Sequence, residues 1–314
     1  MGLGAATTRE CVAIITRHVD EDRDPCRFRR LAALVGSASR SGERDVFVLH
    51  AVNGSVRTSS ADALRRAGPV TLTLQPATRG AWRVFGGKIT GYSKASFLLW
   101  LLHDRSARHC THAWQVEDDV FFTGAWWRLF EAHASSRADL VADHKIFSPA
   151  TAPSGGSTEP CFLNKTTRCM DVAPTVVIWP ILRLSRALAT EIARTLTPGV
   201  GGSGFHEWLT GAVCRRASTP CVMQKLNQSV FGRVLSGHSP GLKSKVQQSL
   251  EQLCNCGLIP QPTGAERKRL NQRINRTVLE YPPNRVYHPV KCEADALLGS
   301  KALRFAGVHV STST

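Results

Sequence analysis

The first two-thirds of the chain alternates apolar, β-branched runs with segments whose apolar residues recur at helical spacing. The runs that favour strands are 11–18, 45–52, 70–77, 138–144, 174–180 and the start of 112–122. The segments that favour helices are 26–38, 92–105, 126–135 and 184–196. Such alternation predicts an α/β fold, a three-layer α/β/α sandwich with a mainly parallel central sheet.

The chain is long enough to form one sizeable core, with 314 residues of which 42% are hydrophobic. We interpret residues 1–314 as a single domain. Within it, the pattern predicts a loop insertion near 148–172 and an irregular C-terminal part from about 215. No apolar run reaches the length of a membrane span, so a membrane anchor would have to lie outside this sequence.

Three consecutive acids follow an apolar run in AWQVEDDVFF, residues 113–122. Glu117, Asp118 and Asp119 stand at the carboxyl end of a predicted strand, the edge at which open α/β sheets bind ligands. Strand alternation puts Glu117 and Asp119 on one face and Asp118 on the other. A divalent cation would relieve their repulsion, and Mg²⁺ and Mn²⁺ favour carboxylate oxygens. Acids at strand ends also serve as surface turns and caps, so the triplet alone leaves both interpretations open.

The surroundings of this triplet resemble the GT-A-fold glycosyltransferases, which use nucleotide-diphosphate sugars as donors. VEDDVFFTG is similar to the acidic D-x-D-type motif of that superfamily, with Glu117 in place of its first Asp. Three later segments are also similar, in order and spacing: LSRAL (184–188), GFHEW (204–208) and VYHPVK (286–291). The resemblance implies a glycosyltransferase-like catalytic domain that moves a sugar to a hydroxyl acceptor on a glycan, a protein or a lipid.

The resemblance also implies a donor-binding site. Asp119 would bind Mn²⁺ or Mg²⁺ at the donor diphosphate, and His288 in VYHPVK would complete the metal site. Glu117 or Asp118 would contact the ribose or the water shell of the metal. Lys291 would neutralise the diphosphate leaving group. The nucleoside would rest near the end of the first strand, at Thr16 and Arg17.

An inverting transfer needs a base that deprotonates the acceptor hydroxyl. Glu207, interpreted as part of a Gly-flanked loop in GGSGFHEW, is the first candidate and His206 is the second. The structural alternative for Glu207 is an ordinary acid in the first turn of a helix. For His288 the structural alternative is a hydrogen-bonded histidine without a ligand.

The net charge of +16, from 40 basic and 24 acidic residues, keeps other functions open. One alternative is a metal-dependent phosphoesterase or nuclease that uses the same acids with His206 or His288. Another is a non-catalytic basic protein that binds acidic glycans or nucleic acid. We do not expect nucleic acid as a partner, because the basic clusters are not interleaved with aromatic residues and no zinc-finger spacing occurs.

Ten cysteines and four N-x-[ST] sites, at Asn53, Asn164, Asn227 and Asn275, favour the lumen of the secretory pathway, as for a glycoprotein of the Golgi. If these sites are unused, a cytoplasmic location with free cysteines is the alternative. Two cysteine pairs could close small disulfide loops, Cys161 with Cys169 and Cys214 with Cys221, although spacing does not determine pairing.

Overall fold

A computed structural model of the chain describes twelve parts of it, and the structural statements below concern these parts. They are residues 9–16, 19, 25–50, 56–74, 92–118, 120–122, 124–146, 175–196, 206–216, 221–226, 234–236 and 286–288. The predicted loop insertion at 148–172 lies outside them.

Seven strands form one large sheet in the order β3-β2-β1-β4-β7-β6-β8. They are β1 (Glu10–Thr16), β2 (Asp45–His50), β3 (Val70–Leu74), β4 (His112–Glu117), β6 (Leu140–Ile146), β7 (Thr175–Ser185) and β8 (Met223–Lys225). β1, β2, β3 and β4 are parallel, β6 and β8 pair in parallel, and β7 runs antiparallel to both of its neighbours. The prediction of a mainly parallel sheet is confirmed.

A second sheet of three short strands has the order β5-β10-β9. Its members are β5 (Phe121–Phe122), β9 (Val234–Ser236) and β10 (Val286–His288). β10 pairs antiparallel with β5 and parallel with β9. The start of the run 112–122 is the strand β4, as predicted, and its end forms β5 in the second sheet.

Six helices are described: α1 (Pro25–Ala38), α2 (Thr58–Ala67), α3 (Tyr92–His103), α4 (Trp126–Glu131), α5 (Arg186–Leu196) and α6 (His206–Arg216). The sequence pattern missed α2, because few of its residues are apolar and its buried residues are Ser60, Ala61 and Leu64. It also missed α6.

The large sheet has a hydrophobic core on each face. Alternate residues of β1 enter different cores: Ala13 and Ile15 pack with α3 and α5, whereas Val12 and Ile14 pack with α1 and α4. This is the three-layer arrangement that the alternation predicts. Among the described residues, no helix is both long and apolar enough to cross a membrane.

The amino edge of the large sheet is held by buried ion pairs. Glu10, at the start of β1, contacts Arg44 at 2.9 Å and Arg183 of β7 at 2.6 Å. The Glu10 and Arg183 side chains are 6% and 1% exposed. Burial lowers the pKa of Arg183, and the charge of Glu10 opposes that shift.

Two disulfides occur among the described cysteines. Cys214 pairs with Cys221, as the spacing allowed, with the Cα atoms 5.1 Å apart. Cys11 pairs with Cys110, 99 residues away, with the Cα atoms 5.7 Å apart. Closing a loop of this length stabilises the folded state by up to about 5 kcal/mol on the chain-entropy account. The sequence did not predict this second pair, and the proposed pair of Cys161 and Cys169 lies outside the described residues.

Candidate functional site

The acids Glu117 and Asp118 lie at the carboxyl edge of the parallel strands, where the sequence places them. β4 ends at Glu117, which is in register with Ile15 of the neighbouring β1. The Asp118 N–H donates to the Ile15 carbonyl at 3.1 Å, and the Val120 N–H donates to the Glu117 carbonyl at 3.0 Å. The backbone of Glu117 and Asp118 is therefore held by a hydrogen bond to β1 and by the turn that Val120 closes.

Thr16 holds the Asp118 carboxylate. Its hydroxyl donates to Oδ2 of Asp118 at 2.7 Å, and Thr16 is 2% exposed. In the structure the Thr16 hydroxyl contacts an acid, and the expected place of Thr16 at the nucleoside stays a prediction. A hydrogen bond to a carboxylate is stronger than one between neutral groups, so Thr16 limits the positions that Asp118 can take.

Lys94 contacts the Glu117 carboxylate through its ammonium group. The Lys94 and Glu117 side chains are 13% and 12% exposed, so the pair is largely shielded from water. Lys94 lies in the first turn of α3, where a cation is unfavourable for the helix dipole. Its position is therefore explained by the acid that it contacts and not by the helix that carries it.

Sequence reasoning missed Lys94, although a topological rule could have found it. A helix that precedes a parallel strand runs back across the sheet, so its first turn lies near the carboxyl edge. A basic residue at the start of the helix before the acidic strand is then a candidate partner for those acids.

The two acids face different layers, as alternation predicts. Glu117 meets Lys94 of α3, on the side of the core that contains Ala13 and Ile15. Asp118 meets Thr16, which follows Ile14 at strand spacing and belongs to the opposite side. Lys94 and Thr16 thus contact the two carboxylates from opposite sides of the sheet.

The second sheet brings His288 back to the acids from the far end of the sequence. Tyr287 pairs with Phe121 and Val286 pairs with Phe122. Continuing this antiparallel register by one residue puts His288 opposite Val120, the residue that closes the turn from Glu117. The His288 side chain lies outside the described residues, so its expected role at the metal stays a prediction.

The backbone around Glu207 differs from the expected loop. α6 begins at His206, so Glu207 lies in the first turn of a helix, which was the structural alternative for this residue. α6 packs against β7: Nε1 of Trp179 donates to the Thr210 hydroxyl at 2.9 Å. A side chain at Gly211 would clash with the Thr175 carbonyl, 2.3 Å from its Cβ position. The His206 and Glu207 side chains lie outside the described residues.

Three further predicted residues, Asp119, Arg17 and Lys291, also lie outside the described residues. The described part of this edge carries two carboxylates on adjacent residues, one on each side of the strand, with the backbone of His288 beside the turn that follows them. Carboxylate oxygens are the ligands that hard divalent cations favour.

No family model matches the sequence, and no curated protein matches it. Among solved structures, the chain is similar to the galactosyltransferase LgtC bound to donor and acceptor sugar analogues, with 11% identity, 95% of each chain covered and a TM-score of 0.48. It is also similar to mouse xyloside xylosyltransferase 1, with 9% identity, 89% of this chain and 96% of that chain covered and a TM-score of 0.41.

A third similar structure is 4-diphosphocytidyl-2C-methyl-D-erythritol synthase from Anaerococcus prevotii, with 9% identity, 70% and 86% coverage and a TM-score of 0.39. Two of the three are sugar transferases by name. Since identities are near 10% and the TM-scores lie below 0.5, these similarities do not assign an activity to this chain.

Proposed function

We propose that this protein is a metal-dependent glycosyltransferase that moves a sugar from a nucleotide-diphosphate sugar to a hydroxyl acceptor on a glycan, a protein or a lipid. The observation that carries the proposal is the return of β10 to the acidic turn. A strand that ends at His288 pairs with the strand that starts two residues after the triplet. The backbone of His288 therefore lies beside the turn that follows Glu117, although the two residues are 171 positions apart in the sequence, 288 minus 117.

In this proposal Asp119 and His288 hold Mn²⁺ or Mg²⁺ at the donor diphosphate. The bound metal would stabilise negative charge on the diphosphate as it leaves. Asp118, oriented by Thr16, contacts the donor or a metal-bound water. Lys94 keeps Glu117 in place and adds a positive charge at the edge where the diphosphate binds.

Arg17 and Lys291 remain proposed donor contacts, and Glu207 remains the proposed base with His206 as the second candidate. The first turn of a helix is compatible with either residue as a base. It is equally compatible with a structural role for Glu207.

The test measures nucleoside diphosphate released from a panel of nucleotide sugars in the presence of Mn²⁺. We expect release from at least one donor, and we expect EDTA to abolish it. Asp119→Ala should abolish metal-dependent donor binding while the fold survives, and His288→Ala should weaken the Mn²⁺ titration more than it weakens acceptor binding.

Two control substitutions remove a carboxylate or an imidazole at positions outside the proposed site. Asp62→Ala removes an exposed acid of α2, and His103→Ala removes an exposed histidine at the end of α3. Both should keep wild-type release. If no nucleotide sugar binds in the presence of metal, or if Asp119→Ala keeps wild-type donor affinity, the proposal is wrong. Hydrolysis of a phosphodiester by the same acids would instead favour a phosphoesterase.

We also propose the lumen of the secretory pathway as the compartment. Four N-glycosylation patterns and two disulfides among the described cysteines support this proposal. Intact mass before and after treatment with a peptide glycosidase, on protein made in a secreting cell, tests it. An unchanged mass would contradict it.

A further inference from the structure

A second cluster of metal-ligating side chains lies at the opposite, amino edge of the large sheet. Within the described residues, Cys11, His109 and Cys110 offer ligand atoms that all lie within 4.8 Å of one another. Nε2 of His109 lies 3.6 Å from Sγ of Cys11 and 3.7 Å from Sγ of Cys110. The same nitrogen lies 2.6 Å from Oδ2 of Asp45, at the start of β2. The proposed sugar transfer uses none of these four residues.

We propose that Cys11, His109, Cys110 and Asp45 bind one zinc ion when the disulfide between the two cysteines is reduced. Two thiolates, one imidazole and one carboxylate form a ligand set that zinc accepts in four-coordinate sites. This inference goes beyond the proposed function. Cys11 and Thr16 lie five residues apart on β1, which puts the two sites about 16 Å apart along the strand.

The distances from the imidazole to the two sulfurs already suit this geometry. Zinc bonds of about 2.3 Å to sulfur and about 2.0–2.1 Å to nitrogen, at the tetrahedral angle, separate the two ligand atoms by about 3.6 Å. The observed separations are 3.6 and 3.7 Å. After reduction the sulfurs must move apart to about 3.8 Å, and the imidazole and carboxylate must separate to about 3.3 Å.

Burial and charge agree with such a site. Cys11 and Cys110 are fully buried, whereas the His109 and Asp45 side chains are 39% and 34% exposed. The thiols are thus in the interior, and the metal would enter from the side of the imidazole and the carboxylate. Two thiolates and one carboxylate exceed the charge of zinc by one unit, and Arg9 supplies that unit because its guanidinium contacts Asp45 at 2.9 Å.

The change between the two forms is a two-electron reduction. A phosphine reductant breaks the Sγ–Sγ bond and becomes a phosphine oxide, and water supplies its oxygen and the two protons of the new thiols. Zinc binding then releases these two protons to the buffer, because zinc binds thiolates and not thiols. In the disulfide form neither sulfur can act as a thiolate ligand.

The test uses Co²⁺ as a spectroscopic probe for zinc on the whole chain, reduced with a phosphine and kept free of oxygen. We expect a thiolate-to-cobalt charge-transfer band that Zn²⁺ removes and that is stronger in the reduced than in the oxidised protein. The band reports sulfur ligands, so it does not respond to metal at the acidic turn. Failure of the sugar-transfer proposal would leave it unchanged.

Variants that keep both cysteines assign the band to this cluster, because other cysteines of the chain can also bind cobalt. His109→Ala and Asp45→Asn should each weaken cobalt affinity at the site by more than about tenfold, since even partners outside the ligand set change affinity by that much. His103→Ala, which removes an exposed histidine in α3, should leave affinity unchanged.

Circular dichroism on the same samples shows whether each protein stays folded. The proposal is overturned if reduced wild type shows no thiolate band, or if both variants match the wild type in affinity. It is also overturned if the reduced protein unfolds while zinc is present. In each of these cases Cys11 and Cys110 form an ordinary disulfide beside a histidine–aspartate pair at the surface.

Discussion

At the amino edge of the large sheet, Arg44 and Arg183 both contact the buried Glu10, and a disulfide ties β1 to the segment before β4. At the carboxyl edge of the same strands, Glu117 contacts Lys94 and Asp118 accepts a hydrogen bond from Thr16. The first edge contains buried ion pairs and a covalent cross-link. The second holds a few charges in place beside residues that the sequence assigns to ligand binding. We therefore expect substitutions at the amino edge to change mainly the unfolding free energy, and substitutions at the carboxyl edge to change mainly donor binding.

The largest expected effect is on stability and comes from Arg183→Met. Removing one partner of a buried ion pair costs about 3–5 kcal/mol, because a buried charge remains. Arg183 also donates to the carbonyls of Ala138 and Ser136, which would lose those donors. Chemical denaturation should show this loss of unfolding free energy, whereas donor affinity measured on the folded variant should remain at the wild-type value.

Arg65→Met is the matched control, since Arg65 forms an exposed ion pair with Asp62 in α2. Its unfolding free energy should stay within about 0.5 kcal/mol of wild type. Equal stability of the two variants would contradict the structural role of the amino edge, and a loss of donor binding in folded Arg183→Met would contradict the separation of the two edges.

The next effect is a pH dependence near the amino edge. Burial, with a smaller contribution from the charge of Arg183, lowers the pKa of His133 from 6.5 to about 4. The unfolded chain therefore binds more protons than the folded chain between about pH 4 and pH 6.5, and stability falls as the pH decreases through that window. The loss from this residue approaches about 3 kcal/mol at its lower end.

His133→Asn removes this titration, so its unfolding free energy should fall less steeply than that of wild type between pH 6.5 and pH 4. His112, whose pKa burial also lowers to about 4, is present in both proteins and cancels in the comparison. Parallel stability curves for the two proteins would show that His133 is not held neutral by the fold.

Lys94→Met should have a smaller effect on stability and a larger effect on function. The pair with Glu117 is 12–13% exposed, so we expect a loss of about 2 kcal/mol, between the values for surface and fully buried pairs. Donor binding should fall at least tenfold, because a positive charge at the proposed diphosphate site is lost.

The double variant Lys94→Met with Glu117→Gln separates these two effects. Removing both charges should restore most of the stability, because no buried charge is left. It should not restore donor binding. Recovery of donor binding together with stability would mean that Lys94 acts through the fold alone. The ion pair at the carboxyl edge would then stabilise the fold without contacting the donor, like the ion pairs at the amino edge.

Local patterns predicted much of the fold, and contacts between distant segments were the part that they missed. Strands buried on both faces read as continuous apolar runs, so the parallel sheet and the position of Glu117 and Asp118 followed from the sequence. Cys214 and Cys221 were suggested as a pair because seven residues separate them. Cys11 with Cys110 and Glu10 with Arg183 depend on strand order and register, which apolar spacing does not determine.

The smallest expected effect tests the best-described contact at the carboxyl edge. Thr16→Val keeps the shape of the buried side chain but removes the hydroxyl that donates to Asp118. One hydrogen bond to a charged group contributes about 1.5 kcal/mol to stability, so the unfolding free energy should fall by about that amount. If Thr16 orients Asp118 for the donor, metal-dependent donor binding should fall severalfold more than stability explains, whereas Thr16→Ser should retain most of it. Equal donor affinity in Thr16→Val and Thr16→Ser would make the hydroxyl a structural contact, and Asp118 would then owe its position to the backbone bond with Ile15.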